Sequence, residues 1–304
     1  VIDTFGKQIV VSTDMLVEGV HFDLMYMPLK HLGYKSVIVN LSDIYAMNAV
    51  PTQITVSLAI SNRFSVEALT EIYDGINFAC KKYGVDLIGG DTTTSTSGLV
   101  LSITAIGEVN ENEFVTRKGA NEHDLICVTG NLGAAYMGLL LLERERKIFL
   151  EHPEVQPDLE SQTYIVERIL KPEAKKEMIE WFAKNNVMPT SMIDISDGLS
   201  SELIHICTQS EKGCIIYEEK IPIHDETKTN AEKFGIAALT AALNGGEDYE
   251  LLFTVSASDF EKVSNCPLLS VIGHITPQEE GCNLITNADN KIKLTAQGWN
   301  ALKK

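Results

Sequence analysis

Apolar positions along the chain follow two rhythms, helical and alternating, and the two take turns. Ile9, Val10 and Val11 form a short buried run from Ile9 to Ser12 that ends at Thr13-Asp14, which reads as a strand. From Lys30 to Asn48 the residues Val37, Ile38, Val39, Leu41 and Ile44 cover several sides of a helix, with Pro28 before it and Asn48 and Pro51 at its end. Ile54, Val56 and Leu58 alternate within Gln53–Ala59, a half-buried strand. Ser65 is a good N-cap, and Val66, Leu69, Ile72, Tyr73 and Ile76 follow at helical spacing until Gly84 stops them. Val85–Ile88 and Leu99–Ile106 read as two further strands, so the first block is an α+β unit.

The character changes near Arg117. Asp124–Val128 reads as a strand, and Thr129-Gly130-Asn131-Leu132-Gly133 turns it into a helix through Leu142. The polar, proline-bearing stretch Glu151–Gln162 is the best loop candidate. Helices are expected over Thr163–Leu170 and Pro172–Asn185, a strand over Ser191–Ile193, and a helix over Leu199–Cys207. Cys214–Tyr217 and Leu251–Val255 complete the strands, and Trp299 stands in a polar tail from Leu294 to Lys304. The pattern predicts an α/β (α+β) protein of two domains, residues 1–115 and 116–304.

Bulk properties narrow the partners. The 304 residues suffice for two domains, and 44% hydrophobic with 22% charged residues is ordinary for a globular protein. A net charge of −17 disfavours a nucleic-acid backbone. Cys80, Cys127, Cys207, Cys214, Cys266 and Cys282 contain no C-x-x-C pair, which favours buried thiols in a reducing compartment over a disulfide or zinc framework. The longest apolar stretch, Ala134–Leu142, is too short to span a bilayer, and no signal peptide opens the chain. A cytoplasmic enzyme with no membrane partner is the expectation. The first residue is Val1 and a strand follows almost at once, so the chain reads as beginning inside a domain.

Five acidic motifs carry the chemistry: Ser12-Thr13-Asp14, Asn40-Leu41-Ser42-Asp43, Gly89-Gly90-Asp91, Asp194-Ile195-Ser196-Asp197-Gly198 and Gly245-Gly246-Glu247-Asp248. Carboxylates at the ends of elements tend to converge in a folded α/β protein, and converging carboxylates need cations or shifted pKa values. Hard divalent cations accept such oxygens, and Mg²⁺ usually brings phosphate with it. Each motif also has a structural reading. Asp14 and Asp91 would cap turns. Asn40 and Asp43 share one face of a largely apolar helix, where Asp43 is either hydrogen-bonded or a ligand. The two glycines before Asp91 allow a tight turn and close backbone approach to a ligand. Asp194 and Asp197 lie where a strand meets a helix, whose free N–H groups attract anions or are capped by the acids themselves. The acids after Gly246 form either a solvated run or a ligand-facing loop. Thr129–Gly133 resembles a phosphate-binding turn only loosely, and its glycines are better read as helix packing.

In order, the stretches STDMLVEGVHF (12–22), GYKSVIVNLSDIYAMNAVP (33–51), LIGGDTT (87–93), TRKGANEHDLICVTGNLGAA (116–135), MIDISDGL (192–199) and NGGEDYELLFT (244–254) closely resemble the thiamine-monophosphate kinase family, within the aminoimidazole-ribonucleotide-synthetase-like superfamily. VEGVHF together with GGEDYEL separates this family from its superfamily relatives. The resemblance implies ATP-dependent phosphorylation of thiamine monophosphate to thiamine diphosphate, with ATP as co-substrate and several Mg²⁺ ions. It implies metal-binding roles for Ser12, Thr13, Asp14, Asp43, Asp91, Asp194 and Asp197, and nucleotide contacts at Tyr73, Gly90, Asp91, Arg117 and Ser196. It implies substrate contacts at His21, Glu247 and Trp299, and no side chain with a covalent or acid–base role. It also implies an N-terminal ATP- and Mg-binding domain with a mixed sheet through which a homodimer forms, followed by a larger C-terminal α/β domain. The family carries a Gly-Asp-Asp segment ahead of the first strand here, a further metal-binding acid that this chain starts after. Two rival readings follow from the same motifs: another ATP-dependent synthetase of the superfamily, or a non-catalytic Mg-nucleotide-binding regulator.

Overall fold

A computed structural model describes residues 6–157 and 159–296. Two compact units divide the chain. The first runs to Phe114 and adds Glu145–Val155 and Leu170–Lys176; the second holds Val115–Arg144, Gln156–Ile169 and the residues from Glu177 onward.

In the first unit, β1 (Gln8–Val17), β2 (Val50–Ile60), β3 (Asp86–Thr94) and β4 (Val100–Val109) make a sheet of order β1-β4-β2-β3. Only the β2–β3 pair is parallel. Helices α1 (Leu29–Ala46) and α2 (Val66–Tyr83) pack against each other, with α1 against β1, β2 and β4. Helix α1 is buried almost all round, as its apolar sequence demands, and Leu32, Val37, Ile38, Leu41 and Ile44 lie in the core. Ser65 caps α2 by accepting from the Ala68 N–H, and Gly84 closes it in the left-handed conformation at φ 73°.

The second unit holds β5 (Leu125–Thr129), β6 (Ser191–Asp194), β7 (Gly213–Tyr217), β8 (Leu251–Val255), β9 (Leu269–Thr276), β10 (Cys282–Ile285) and β11 (Lys291–Lys293). Their order is β11-β10-β7-β9-β5-β8-β6, antiparallel except for β10 beside β7. The helices are α3 (Ala134–Glu151), whose residues from Glu145 onward belong to the first unit, α4 (Thr163–Leu170), α5 (Lys176–Asn185), α6 (Leu199–Ser210), α7 (Asp225–Lys233), α8 (Ala238–Asn244) and α9 (Phe260–Ser264). A core of Ile126, Val128, Ile193, Leu203, Leu252 and Ile272 joins this sheet to α6.

Two mixed sheets with flanking helices match the expected fold class, while several boundaries differ. Strand β1 runs five residues past Ser12 to Val17, so Asp14 lies inside a strand rather than at its end. Helix α3 continues to Glu151 because its charged second half is made of good helix formers. Helix α5 starts at Lys176, four residues after Pro172. The intervening segment is held by side-chain contacts instead: the Tyr83 hydroxyl donates to Glu173 (2.7 Å) and accepts from the Ala174 N–H (3.1 Å). Strand β9, central in its sheet, escaped the alternation pattern because Gly273 interrupts it.

Candidate functional site

Strand alternation sorts the first acidic motif. Ser12 and Asp14 face α1, where Asn40 and Asp43 share a helical face. The Ser12 hydroxyl donates to Asp43 Oδ2 (2.5 Å), and the Asp14 N–H donates to Asn40 Oδ1 (2.9 Å). Asn40 is itself fixed by donating to the Ser36 carbonyl (3.0 Å). Ser12 and Asp43 are therefore joined directly, and the Asp14 backbone is tied to Asn40 on the same helical face. Thr13 points to the other face, where its hydroxyl donates to the Ile103 carbonyl (3.2 Å) and accepts from Thr104 (3.1 Å).

His21 follows on the loop after β1. Its Nδ1 accepts from the Val17 N–H (3.0 Å), so the neutral ring carries its proton on Nε2. The same loop is braced by Glu18, which accepts from the Leu99 N–H (2.8 Å) and pairs with Arg63.

Gly89-Gly90-Asp91 does not turn. Strand β3 continues through all three residues to Thr94, paired in parallel with β2. The register slips where Ile54 and Thr55 face Leu87 and Gly89, leaving Ile88 as a bulge. Gly90 lies so close to β2 that a Cβ would stand 1.8 Å from the Val56 carbonyl oxygen, so glycine serves strand pairing here. The bent strand forms one wall of a cleft of about 450 Å³ lined by Tyr73, Leu87, Ile88, Gly89, Gly90, Asp91 and Thr92. Tyr73, Gly90 and Asp91, named separately in the sequence, thus meet at one cavity of a size that suits a small-molecule ligand.

In the second unit, the two remaining motifs lie side by side. Strand β6 pairs with β8 up to Asp194 and Leu251, and the hydrogen bonding then continues beyond both strands. The Ile195 N–H donates to Glu250 O (2.8 Å), the Tyr249 N–H to Ile195 O (2.9 Å), and the Glu247 N–H to Ser196 O (2.7 Å). Gly246 has φ 70° and passes close enough that a Cβ would meet Ser196 O at 2.5 Å. Glu247 and Tyr249 hold positive φ values of 62° and 52°, a conformation that side chains normally avoid. Asp194 is buried, while Ser196 and Asp197 are exposed.

The N–H groups at the starts of α6 and α3 are capped by carboxylates of the chain. Glu202 accepts from the N–H groups of Ser196 (3.2 Å) and Asp197 (2.8 Å) at the start of α6. Asp248 accepts from the Gly133 N–H (2.7 Å) at the start of α3. The acidic run after Gly246 is also only partly a surface feature, since Asp248 and Glu250 are each 1% exposed. Arg168 donates to Glu250 Oε1 (2.9 Å) and to the Asp248 carbonyl (2.8 Å), and Thr129 donates to Glu250 Oε2 (2.5 Å). Two acids of the motif therefore anchor the loop, and Glu247 is left at the partly exposed position.

Electrostatics concentrate where the two motifs touch. Partial burial raises the Asp197 carboxyl above its ordinary range; the charge of Glu247 adds to this and His205 opposes it. Burial pushes Glu202 up to about 7, with the Asp197 charge acting in the same direction. A nearby cation favours the charged form of a carboxyl raised in this way. Arg117 is exposed and sits elsewhere: its carbonyl accepts from Ser210, toward the C-terminal end of α6 and away from Gly198. Trp299 lies outside the described residues.

Sequence reasoning missed Glu202, Arg168 and the structural part of Thr129. An acid in the first turn of a helix was the available signal for Glu202. Nothing in the spacing pointed to Arg168.

Residues 1–109 match the family model described as AIR synthase related protein, N-terminal domain. A thiamine-monophosphate kinase of Buchnera aphidicola subsp. Schizaphis graminum is 39% identical over 296 residues, covering 95% of this chain and 86% of that relative. A thiamine-monophosphate kinase of Bacillus subtilis is 32% identical over 306 residues, covering 98% of this chain and 89% of the relative. The solved structure of AaThiL complexed with AMPPCP and TMP superposes with a TM-score of 0.83 at 30% identity, covering 99% of this chain and 89% of that one.

Proposed function

The chain belongs to the thiamine-monophosphate kinase family, and from that premise we propose that it moves the γ-phosphoryl group of ATP directly onto the phosphate of thiamine monophosphate, releasing thiamine diphosphate and ADP. The observation that carries this reading is the pairing of the Asp194–Gly198 segment with the Gly246–Glu250 segment, which sets Ser196, Asp197 and Glu247 beside one another.

The donors suit Mg²⁺. Ser12, Asp14, Asp43 and Asp91 in the first unit, with Asp194 and Asp197 in the second, offer only hard oxygen atoms. The raised Asp197 beside Glu247 is a site short of positive charge. Mg²⁺ bound to either set would screen the charge of a polyanionic substrate. Tyr73, Gly90 and Asp91 hold the nucleotide at their shared cleft in the first unit. In the second unit, Ser196 and Arg117 are the nucleotide contacts that the family resemblance assigns. His21 presents Nε2–H to the thiamine monophosphate, and Glu247 offers its charge to the cationic thiazolium ring. A phosphate monoester is already ionised near neutral pH, so no general base is required, and positioning and electrostatics supply the rate.

The outer face of the first sheet supports a homodimer, because Val11 and Met15 stand 59% and 54% exposed on one side of β1. All six cysteines are free thiols, which suits the cytoplasm. Among the described residues no helix is long and apolar enough to cross a membrane. The test is incubation with thiamine monophosphate, ATP and Mg²⁺ followed by chromatographic detection of thiamine diphosphate. ATP-dependent formation of that product supports the reading; ADP release without it overturns it.

A further inference from the structure

Three cysteines that are distant in sequence meet in the second unit. Cys207 lies near the end of α6, Cys214 on β7 and Cys282 on β10. Cys214 and Cys282 are direct partners in the parallel β7–β10 pair, so their side chains leave the sheet on the same face, the one α6 covers. Their three sulfur atoms lie within 4.8 Å of one another. Among the described residues this is the one group of three His, Cys, Asp or Glu ligand atoms so closely gathered. No bond joins them, since all three are free thiols.

We propose that Cys207, Cys214 and Cys282 form a three-sulfur site for a soft, thiophilic metal ion of the copper(I) class. Three sulfurs around one ion at about 2.3 Å stand about 4 Å apart, which is compatible with the observed grouping. Sulfur donors select soft ions over the hard cations that oxygen suits, so this site and the acidic motifs sort different metals. Zinc would need a fourth ligand, and the group supplies three. Each thiol that ligates gives its proton to solvent, and binding strengthens as pH rises.

The surroundings give the sulfur cluster a route to solvent. Cys207 and Cys214 are fully buried in the apolar core around α6, while Cys282 is only half-buried. Cys282 is thus the member poised to meet an incoming ion first.

The test is an anaerobic titration of the reduced full chain with copper(I) supplied as its acetonitrile complex, against a copper(I) chelator of known affinity. The expected result is one equivalent bound, with the half-buried Cys282 lost to a thiol-labelling reagent. Cys282→Ser is expected to weaken binding by about 100-fold or more, whereas Cys80→Ser leaves it unchanged. A zinc titration under the same conditions is expected to bind far more weakly. Circular dichroism of each variant confirms that it is folded. If folded wild type takes no copper(I) from the chelator at one equivalent, or if folded Cys282→Ser binds as tightly as wild type, the site does not exist. Neither readout depends on phosphoryl transfer.

Discussion

At the residue scale, the second-unit site depends on acids that differ in what they can release. Asp248 and Glu250 are committed to Arg168, Thr129 and the start of α3, whereas Asp197 and Glu247 repel each other at the loop surface. Asp197→Asn is expected to lower kcat by about 100-fold or more while leaving the thermal transition in place, because the account gives it an electrostatic role. Unchanged kinetics at limiting Mg²⁺ would remove Asp197 from the metal set. His21→Ala is expected to raise KM for thiamine monophosphate roughly tenfold, the size of one lost polar contact, with little change for ATP. Equal effects on both substrates would contradict its assignment.

Glu202 gives a pH prediction. Its folded pKa of about 7 lies above the unfolded value of 4.5, so the folded chain binds the proton more tightly. The stabilisation from that proton is complete below pH 4.5 and is lost as pH rises through about 7, amounting to on the order of 3 kcal/mol in the metal-free protein. Glu202→Gln lacks this titration. Urea denaturation should show the variant gaining on wild type between pH 4.5 and 7.5, and a pH-independent difference would refute the buried, raised carboxyl.

At the element scale, two glycines make opposite predictions from their surroundings. A Cβ at Gly90 would strike the Val56 carbonyl, so Gly90→Ala should push β3 off β2, cost roughly 2–4 kcal/mol and weaken nucleotide binding. Gly84 meets nothing within 4 Å, so Gly84→Ala should cost only about 1 kcal/mol, the left-handed penalty, and spare the nucleotide site. Comparable losses in both would mean that the β2–β3 approach is not what Gly90 provides. The same position shows why some elements were legible in sequence and others were not. Helices α1, α2 and α4 announced themselves through local spacing and, for α2, through caps. Strand β3 was cut short at Ile88 because Gly-Gly-Asp carries a turn signal. Its continuation depends on a neighbouring strand that local sequence does not name. Likewise, the occupancy of the α3 N-terminus by Asp248 rests on a contact across 115 residues. Asn40 and Asp43 were legible as a pair because helical periodicity alone puts them on one face.

At the scale of the whole molecule, the exposed apolar positions on β1 argue for a partner. Met15→Glu is expected to shift sedimentation from dimer to monomer, and a monomeric wild type would remove the sheet face as an interface. Composition fixed little of this beyond the poor fit of −17 charges to nucleic acid. The fold showed which acids of the last motif are anchors: Asp248 and Glu250, held by the start of α3, Arg168 and Thr129. The central claim, direct passage of phosphate between two bound substrates, is open to a rapid-quench single turnover with γ-labelled ATP and thiamine monophosphate. The account predicts that label leaves ATP and enters thiamine diphosphate at the same rate, with none on the protein. Label that resides first on the protein, or that emerges as inorganic phosphate while thiamine monophosphate is untouched, would contradict it.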